Sequence, residues 1–188
     1  MTLLALLRHA DTAWSAEGRI QGRTDVPLSE SGRGQLRART LPRECREMKI
    51  VTSPLARCVE TAALLGAPDA EREPRIAEMR WGAWEGRLLD ELREELGAAM
   101  RDNEARGLDF RPEGGESPRE VSSRVESWMK EIAKPTLAIT HRGVIRVVLA
   151  AATGWDMTGR PPAKLDWGAV HFFRVSAGRP GVERLNVR

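Results

Sequence analysis

Cysteine is scarce. The 188 residues hold only Cys45 and Cys58, which give neither the framework of a disulfide-stapled secreted fold nor the paired spacing of a thiolate metal site. No apolar run approaches the ~20 residues that span a bilayer. The N-terminal run Leu3–Leu7 is too short, and has no basic leader, for a secretion signal. These absences predict a cytoplasmic protein with no membrane partner. A dense basic stripe is missing too. Thirty Lys and Arg face 27 Asp and Glu for a net charge of +3, so the pI of 9.3 reflects a slight surplus spread along the chain, and no nucleic-acid partner is expected. A local cluster of arginines could still attract a small phosphorylated molecule. There is no internal repeat, low-complexity tract or linker. Length and an apolar content of 41% fit one domain able to bury its own core.

What is present reads as alternating strands and helices. Leu3 to Leu7 is apolar throughout, as in a strand covered on both faces, and it stops at Arg8-His9. Residues 11–27 are rich in Gly, Ser and charge. They form a connection longer than structure alone requires, which favours a functional loop. A helix follows from Ser29 to about Thr40. Lys49–Thr52 is a short strand. Ser53-Pro54 then reads as cap plus first helical residue of a helix to Leu65, closed by Gly66 and carrying Cys58 as a small buried hydrophobe. After a charged connection at 67–75 come a short extended piece at 76–79, an aromatic-glycine turn at 81–86 and a helix at 88–100. A loop at 107–117 precedes a second Ser-Pro start, Ser117-Pro118, which opens a helix to about Ala133. Thr136–Thr140 is a buried strand ending at His141-Arg142-Gly143. A helix at 144–152, a loop at 154–168 and two late strands at 169–175 and 182–187 complete the chain. This alternation predicts an α/β fold, a three-layer α/β/α sandwich with a mostly parallel central sheet.

Two strands thus end in a histidine and an arginine. If they are parallel neighbours, both histidines project at the C-terminal edge of the sheet, where open α/β folds place their ligands. Arg57, on the helix after the strand between them, would join them. Imidazoles and guanidiniums are the set that phosphoryl transfer demands. Arginine forks hold the phosphoryl oxygens in bidentate fashion, and neutral imidazole offers a lone pair near neutral pH.

At these residues the sequence resembles the histidine phosphatases, the phosphoglycerate-mutase-like superfamily. Arg8-His9-Ala10-Asp11-Thr12 is similar to the signature Arg-His-Gly-x-Thr. The segments Gln21–Ser29, Ser53–Ala62, Glu78–Gly86, Gly114–Ser117 and Thr140–Arg146 follow in the family's order, and their conjunction carries the resemblance over nearly the whole chain. The resemblance implies a single histidine phosphatase domain over residues 1–188, with a phosphoglycerate mutase-like fold. It implies that His9 is the nucleophile forming a phosphohistidine. Arg8, Arg57 and His141 would bind the phosphoryl oxygens, and Glu78 would be the acid and then the base, with Glu85 as its rival. Thr12, Ser15, Gln21 and Gly22 would line the pocket. No metal and no cofactor are required, because arginine and histidine supply the positive charge. The implied partner is a small-molecule phosphate ester.

Two positions depart from the family pattern. Ala10 replaces a glycine and is tolerable where the backbone keeps a negative φ. Ser15 stands where many members have an asparagine. The chain lacks the inserted region with which the mutases hold a substrate carboxylate, and residues 86–117 contain no adjacent arginine pair. A phosphatase is therefore expected, with a phosphomutase and a non-catalytic phosphate-binding module as alternatives. The segments Glu78–Gly86 and Gly114–Ser117 are most similar to the α-ribazole phosphatase branch. Trp81, Trp84 and His171 read as packing residues, and Arg142 and Arg146 as structural. Arg101, Arg106 and Arg111 lie near a loop that could cover the pocket.

Overall fold

The structure, a computed structural model, describes residues 1–188. A six-stranded sheet runs in the order β3-β2-β4-β1-β5-β6. Its strands are β1 (Thr2–Arg8), β2 (Lys49–Thr52), β3 (Glu71–Arg72), β4 (Thr136–Thr140), β5 (Val170–Ser176) and β6 (Arg179–Val187). The first four are mutually parallel; β5 runs antiparallel to β1, and β6 to β5.

Alternation along the central strand builds the layers, since successive side chains point to opposite faces. Leu4 and Leu6 face a cluster containing Val121, Val125, Trp128 and Met129 of α6 (Pro118–Met129) and Val144, Ile145, Val147 and Val148 of α7 (Arg142–Thr153). Ala5 and Leu7 face the other way, toward Cys45, Met48 and Phe172. On that face Cys58 and Ala62 of α3 (Ala56–Leu64) pack on Ile139 of β4. Leu4, Leu6 and Leu7 are fully buried, each contributing about 1.5–3 kcal/mol by leaving water. The three-layer α/β/α arrangement is the one expected, with an antiparallel edge added by β5 and β6.

Local details differ from the sequence expectations. Residues 11–27 carry a one-turn helix, α1 (Ala13–Ala16), capped by Thr12 and Ser15 in a reciprocal box. Helix α2 (Glu30–Arg37) is capped by Ser29 as expected but stops short of Thr40. Ser53 does not cap α3: Leu55 holds the cap position with no side-chain bond, and Pro54 lies outside the helix. The helix expected at 88–100 is two, α4 (Leu89–Leu96) and α5 (Ala98–Glu104), because Gly97 turns between them at φ +50°. The extended piece expected at 76–79 is no strand. A 3-10 turn at Pro74–Ile76 is found, and the strand lies earlier, at β3. Helix α6 ends at Met129 rather than Ala133, and β6 begins at Arg179 rather than residue 182. Cys45 and Cys58 are both free and buried.

Candidate active site

Strand pairing brings the two histidines together. Arg8 of β1 is in register with Thr140 of β4, and the His9 amide continues the ladder by donating to the Thr140 carbonyl at 2.9 Å. His9 and His141 are therefore the next residues on adjacent parallel strands. Their ring centroids lie 5.2 Å apart with planes tilted by 60°. On the far side of β4, the Ser53 amide donates to Ile139 at 2.9 Å. This sets the Ser53 hydroxyl 2.8 Å from His141 Nε2, and Cys58 Sγ lies 3.4 Å from the same nitrogen.

Both rings are kept neutral. Burial is the first cause, and the positive charge of Arg8 and Arg57 adds to it for His9, pushing its pKa well below the ordinary histidine value. For His141 the order is burial, then Arg57 and His9. His9 Nδ1 lies 2.7 Å from the Ala10 carbonyl. A carbonyl can only accept, so Nδ1 carries the proton and Nε2 keeps the lone pair. Ala10 has no positive φ, so the alanine at this position fits without strain.

Arg57 is fully buried without a carboxylate partner. Its Nη groups donate to the carbonyls of Gly22 at 2.7 Å and Thr24 at 2.9 Å, while its Nε has no protein acceptor. Arg8 pairs with Asp11 at 3.2 Å, and its Nε is likewise without an acceptor. Burial lowers the pKa of both guanidiniums. Two arginines with buried unpaired N–H groups make a floor suited chemically to an anion, since such donors are costly to leave unmet.

The segment 21–25 that Arg57 grips is held from its other side by Glu85. That carboxylate accepts from the amides of Arg23, Thr24 and Trp81 at 2.9, 2.8 and 3.1 Å, and from the Thr24 hydroxyl at 2.6 Å. Burial pushes its pKa up, but these bonds outweigh it and hold the group below the usual carboxylate value. Gly22 is required here: it has φ +56°, and a Cβ would come within 2.1 Å of Glu85 Oε1. Glu85 is thus a brace for the loop. Glu78 instead lines the cavity. It accepts from the amides of Met79 at 2.8 Å and Gly143 at 3.2 Å, and its chain segment is gripped by Arg124, which donates to the Glu78 carbonyl.

The cavity has a volume of about 570 Å³. Arg8, His9, Ser15, Gln21, Gly22, Arg57 and Glu78 all lie on its wall; His141 is fully buried beside His9 and is not on that wall. Thr12 is fully buried and is not on that wall; its hydroxyl accepts from the Ser15 amide at 3.0 Å. The Ser15 hydroxyl donates to Asp11 at 3.1 Å. Trp81 lines the cavity, and Trp84 packs beside it against Phe110. His171 is buried in β5, where its Nδ1 accepts from the Asn186 amide at 3.2 Å. Arg101 and Arg106 are not on the cavity wall, and Arg111 is spent on Glu120 at 2.6 Å.

Sequence reasoning missed several residues here. Ser53 reads as a cap but touches His141. Arg142 and Arg146 read as structural but line the cavity, as do Arg93 and Glu104. The four-residue spacing of Arg142 and Arg146 directly after His141 was the available signal.

Over residues 4–188 the chain matches the model of the histidine phosphatase superfamily, branch 1. It is 34% identical over 199 residues to "Phosphoserine phosphatase 1" of Hydrogenobacter thermophilus, spanning 100% of this chain and 93% of that protein. It is 29% identical over 178 residues to "Metal-independent phosphoserine phosphatase" of Arabidopsis thaliana, spanning 85% and 72%. Against "Probable phosphoglycerate mutase GpmB" of Cronobacter sakazakii it is 37% identical over 131 residues, but spans only 66% of this chain and 60% of that protein. Among solved structures, TTHB049 from Thermus thermophilus superposes with a TM-score of 0.76 at 30% identity over 99% of both chains. A mycobacterial glucosyl-3-phosphoglycerate phosphatase in complex with VO3 superposes at 0.83 with 23% identity over 99% of both, a likeness of fold.

Proposed function

The chain belongs to the histidine phosphatase superfamily, and from that premise we propose that it is a metal-independent phosphomonoesterase that hydrolyses a small phosphorylated metabolite through a phosphohistidine on His9. The observation that carries this reading is the state of His9. It is buried and neutral, its Nδ1 proton is committed to the Ala10 carbonyl, and it is flanked by two arginines with unmet N–H donors.

In the first step His9 Nε2 attacks phosphorus in line. The N–P bond forms as the ester O–P bond breaks. Glu78 gives its proton to the departing alkoxide. Arg8, Arg57 and His141 hold the equatorial oxygens, where charge spreads in the transition state. In the second step Glu78 takes a proton from water as water oxygen attacks phosphorus, and the N–P bond breaks to release inorganic phosphate and neutral imidazole. Ser15, Gln21 and the Gly22 backbone line the approach. Thr12 contributes by capping the turn that carries Ser15.

The full-length match to a phosphoserine phosphatase, against partial cover of the mutase-named relative, favours transfer to water over transfer to a second hydroxyl. Two substrates head the candidates: α-ribazole 5′-phosphate, from the motif resemblance, and phosphoserine, from the relatives. The test is phosphate release from a panel of phosphorylated metabolites containing both, run with chelator present. Inorganic phosphate as the main product supports the reading. Transfer to a second hydroxyl supports a mutase, and binding without turnover supports a non-catalytic module.

A further inference from the structure

We propose that Arg124 and Glu116 are a positioning pair: by holding the backbone on both sides of Glu78, they set where its carboxyl meets the leaving oxygen. The inference rests on the phosphomonoesterase reading and extends it to two residues that are not on the cavity wall.

Glu78 lies in residues 77–81, between the 3-10 turns Pro74–Ile76 and Gly82–Trp84, in neither helix nor strand. No ladder fixes such a segment, so its peptide groups must find partners elsewhere. Most of them are supplied from one place. Arg124, on α6, donates through Nη1 to the Arg75 carbonyl, and through Nη2 to the Glu78 carbonyl at 3.2 Å. The Glu116 carboxylate accepts from the Arg80 amide at 2.8 Å, and the Glu116 amide donates to the Arg80 carbonyl at 2.8 Å. Between Arg75 and Glu78, the Thr140 hydroxyl donates to the Ile76 carbonyl at 2.7 Å and ties the segment to β4.

The two residues also hold each other. Arg124 Nε donates to Glu116 Oε1 at 3.1 Å and Nη2 to Oε2 at 3.2 Å, a two-pronged pairing of guanidinium and carboxylate. Their side chains are only 17% and 14% exposed. Burial pushes the Glu116 carboxyl up, but the Arg80 amide and Arg124 outweigh it and hold the group below the usual carboxylate value. The pair is therefore ionic at neutral pH. Serving two carbonyls and a carboxylate at once needs the planar spread of donors that a guanidinium has and an ammonium lacks. A further contact, from Arg23 to Glu116, is 3.5 Å, too long for a good hydrogen bond, and leaves the loop at 21–25 to the Glu85 brace.

The Glu78 carboxyl has few restraints of its own. One is the amide of its neighbour Met79, which moves with the same segment, and the other is the single bond from Gly143 at 3.2 Å. Its place in the cavity thus follows from the backbone that Arg124 and Glu116 fix. Displacing a reacting group by about 1 Å can cost ~10²-fold in rate. Here the loss would fall on esters whose leaving oxygen needs a proton from Glu78.

The test compares phenyl phosphate with p-nitrophenyl phosphate, esters of similar shape whose leaving groups differ in basicity. Arg124→Met should lower kcat/KM for phenyl phosphate by about 10- to 100-fold and for p-nitrophenyl phosphate by about threefold or less. Glu116→Gln keeps an oxygen for the Arg80 amide but loses the charge that pairs with Arg124. It should move the ratio of the two esters in the same direction, by about 3- to 10-fold. In a Glu78→Gln background, Arg124→Met should change that ratio by about twofold or less, because its effect runs through a carboxyl already removed. Thermal melts establish which variants fold, and Glu116→Gln, which keeps the shape of the side chain, carries the test if Arg124→Met does not. Equal losses on both esters, a ratio that stays at the wild-type value, or an undiminished further fall in the Glu78→Gln background overturns the positioning pair. So does loss of the cooperative melt in both single variants, which would make the pair structural. Each of these leaves the phosphomonoesterase reading intact. No release from either ester by the wild-type protein overturns both.

Discussion

His9 and Arg57 stand at the floor of the cavity with His141 beside His9, and all three have at most 4% of their surface exposed. Arg142, one residue beyond His141 on the outer wall, is exposed. The floor is made of strand ends and the first turn of α3. Its polar groups are set by backbone ladders, by the grip of Arg57 on residues 22–24 and by the Glu85 brace. The stretch of outer wall beyond His141 is one face of α7 with Met157 and Gly159 of the loop at 154–168, and its two arginines, Arg142 and Arg146, lie over indole rings with no carboxylate partner. On the proposed function the difference separates two tasks. Attack on phosphorus tolerates little displacement and needs the low local dielectric of a buried site. Discrimination among alcohols needs only a few oriented donors at the mouth, on the part of the fold most open to change.

The sharpest way to break this division is to remove the nucleophile. His9→Ala should lower phosphate release by about 10⁴-fold or more, judged by the cost of deleting nucleophiles elsewhere. It should leave a cooperative melt, because the ring supports no core packing cluster. Activity within tenfold of wild type would place the chemistry elsewhere on the wall.

Next in size is the contrast between two carboxylates. Glu78→Gln should cost about 10²- to 10⁴-fold in kcat on alkyl phosphates and far less on p-nitrophenyl phosphate, whose leaving group needs little protonation. Glu85→Gln should instead weaken the clamp on residues 23–24. It should lower the melting temperature through about 1–3 kcal/mol of unmet buried hydrogen bonding and slow both esters alike. If Glu85→Gln alone showed the leaving-group dependence, the two roles would be exchanged. Gly143→Ala sharpens the same contrast, since a Cβ there would lie 2.3 Å from Glu78 Oε1. It should reproduce part of the Glu78→Gln pattern by displacing the acid.

Much of this floor was legible in the sequence, and most of the outer wall was not. The apolar run ending at Arg8-His9 and the one ending at His141 mark their own strand ends, because burial on both faces excludes polar residues until the sheet edge is reached. That those strands are neighbours follows from pairing, which the sequence supports only through the order of its motifs. Ser53 shows the limit. Ser-Pro before a helix is a good cap signal at Ser117. At Ser53 the same dipeptide leads to a helix that starts two residues later, because the hydroxyl is drawn to a histidine on another strand. The place of Arg142 and Arg146 on the cavity wall was hidden for a related reason. Their environment is Trp155 and Trp167, which lie in an irregular loop that no periodicity describes. Gly97 was hidden by an amphipathic pattern that continues across it from α4 into α5.

The same burial also sets how stability depends on pH. All three histidines are buried, and burial holds each below its ordinary pKa. As pH falls through about 6.5 the unfolded chain therefore takes up protons that the folded chain refuses. Stability present above that pH is lost below it, by up to about 1.4 kcal/mol per pH unit for each histidine still neutral in the fold. Urea midpoints between pH 7.5 and 5, above the range where carboxylates titrate, should fall steadily. His171→Gln, remote from the cavity, should lessen the slope without altering turnover. A flat profile would mean that the rings accept protons in the folded state and that the floor is not the dry, neutral site described.

The most direct measurement is to trap the covalent intermediate. Rapid acid-free quench of the wild-type protein during turnover, followed by peptide mass spectrometry under basic conditions, should find one phosphoryl group on His9. The modification should be acid-labile, absent from His9→Ala, and prolonged in Glu78→Gln fed an aryl phosphate, because the second step then lacks its base. Steady turnover with no phosphorylated His9 in either protein, or a phosphoryl group on His141 instead, would contradict the account.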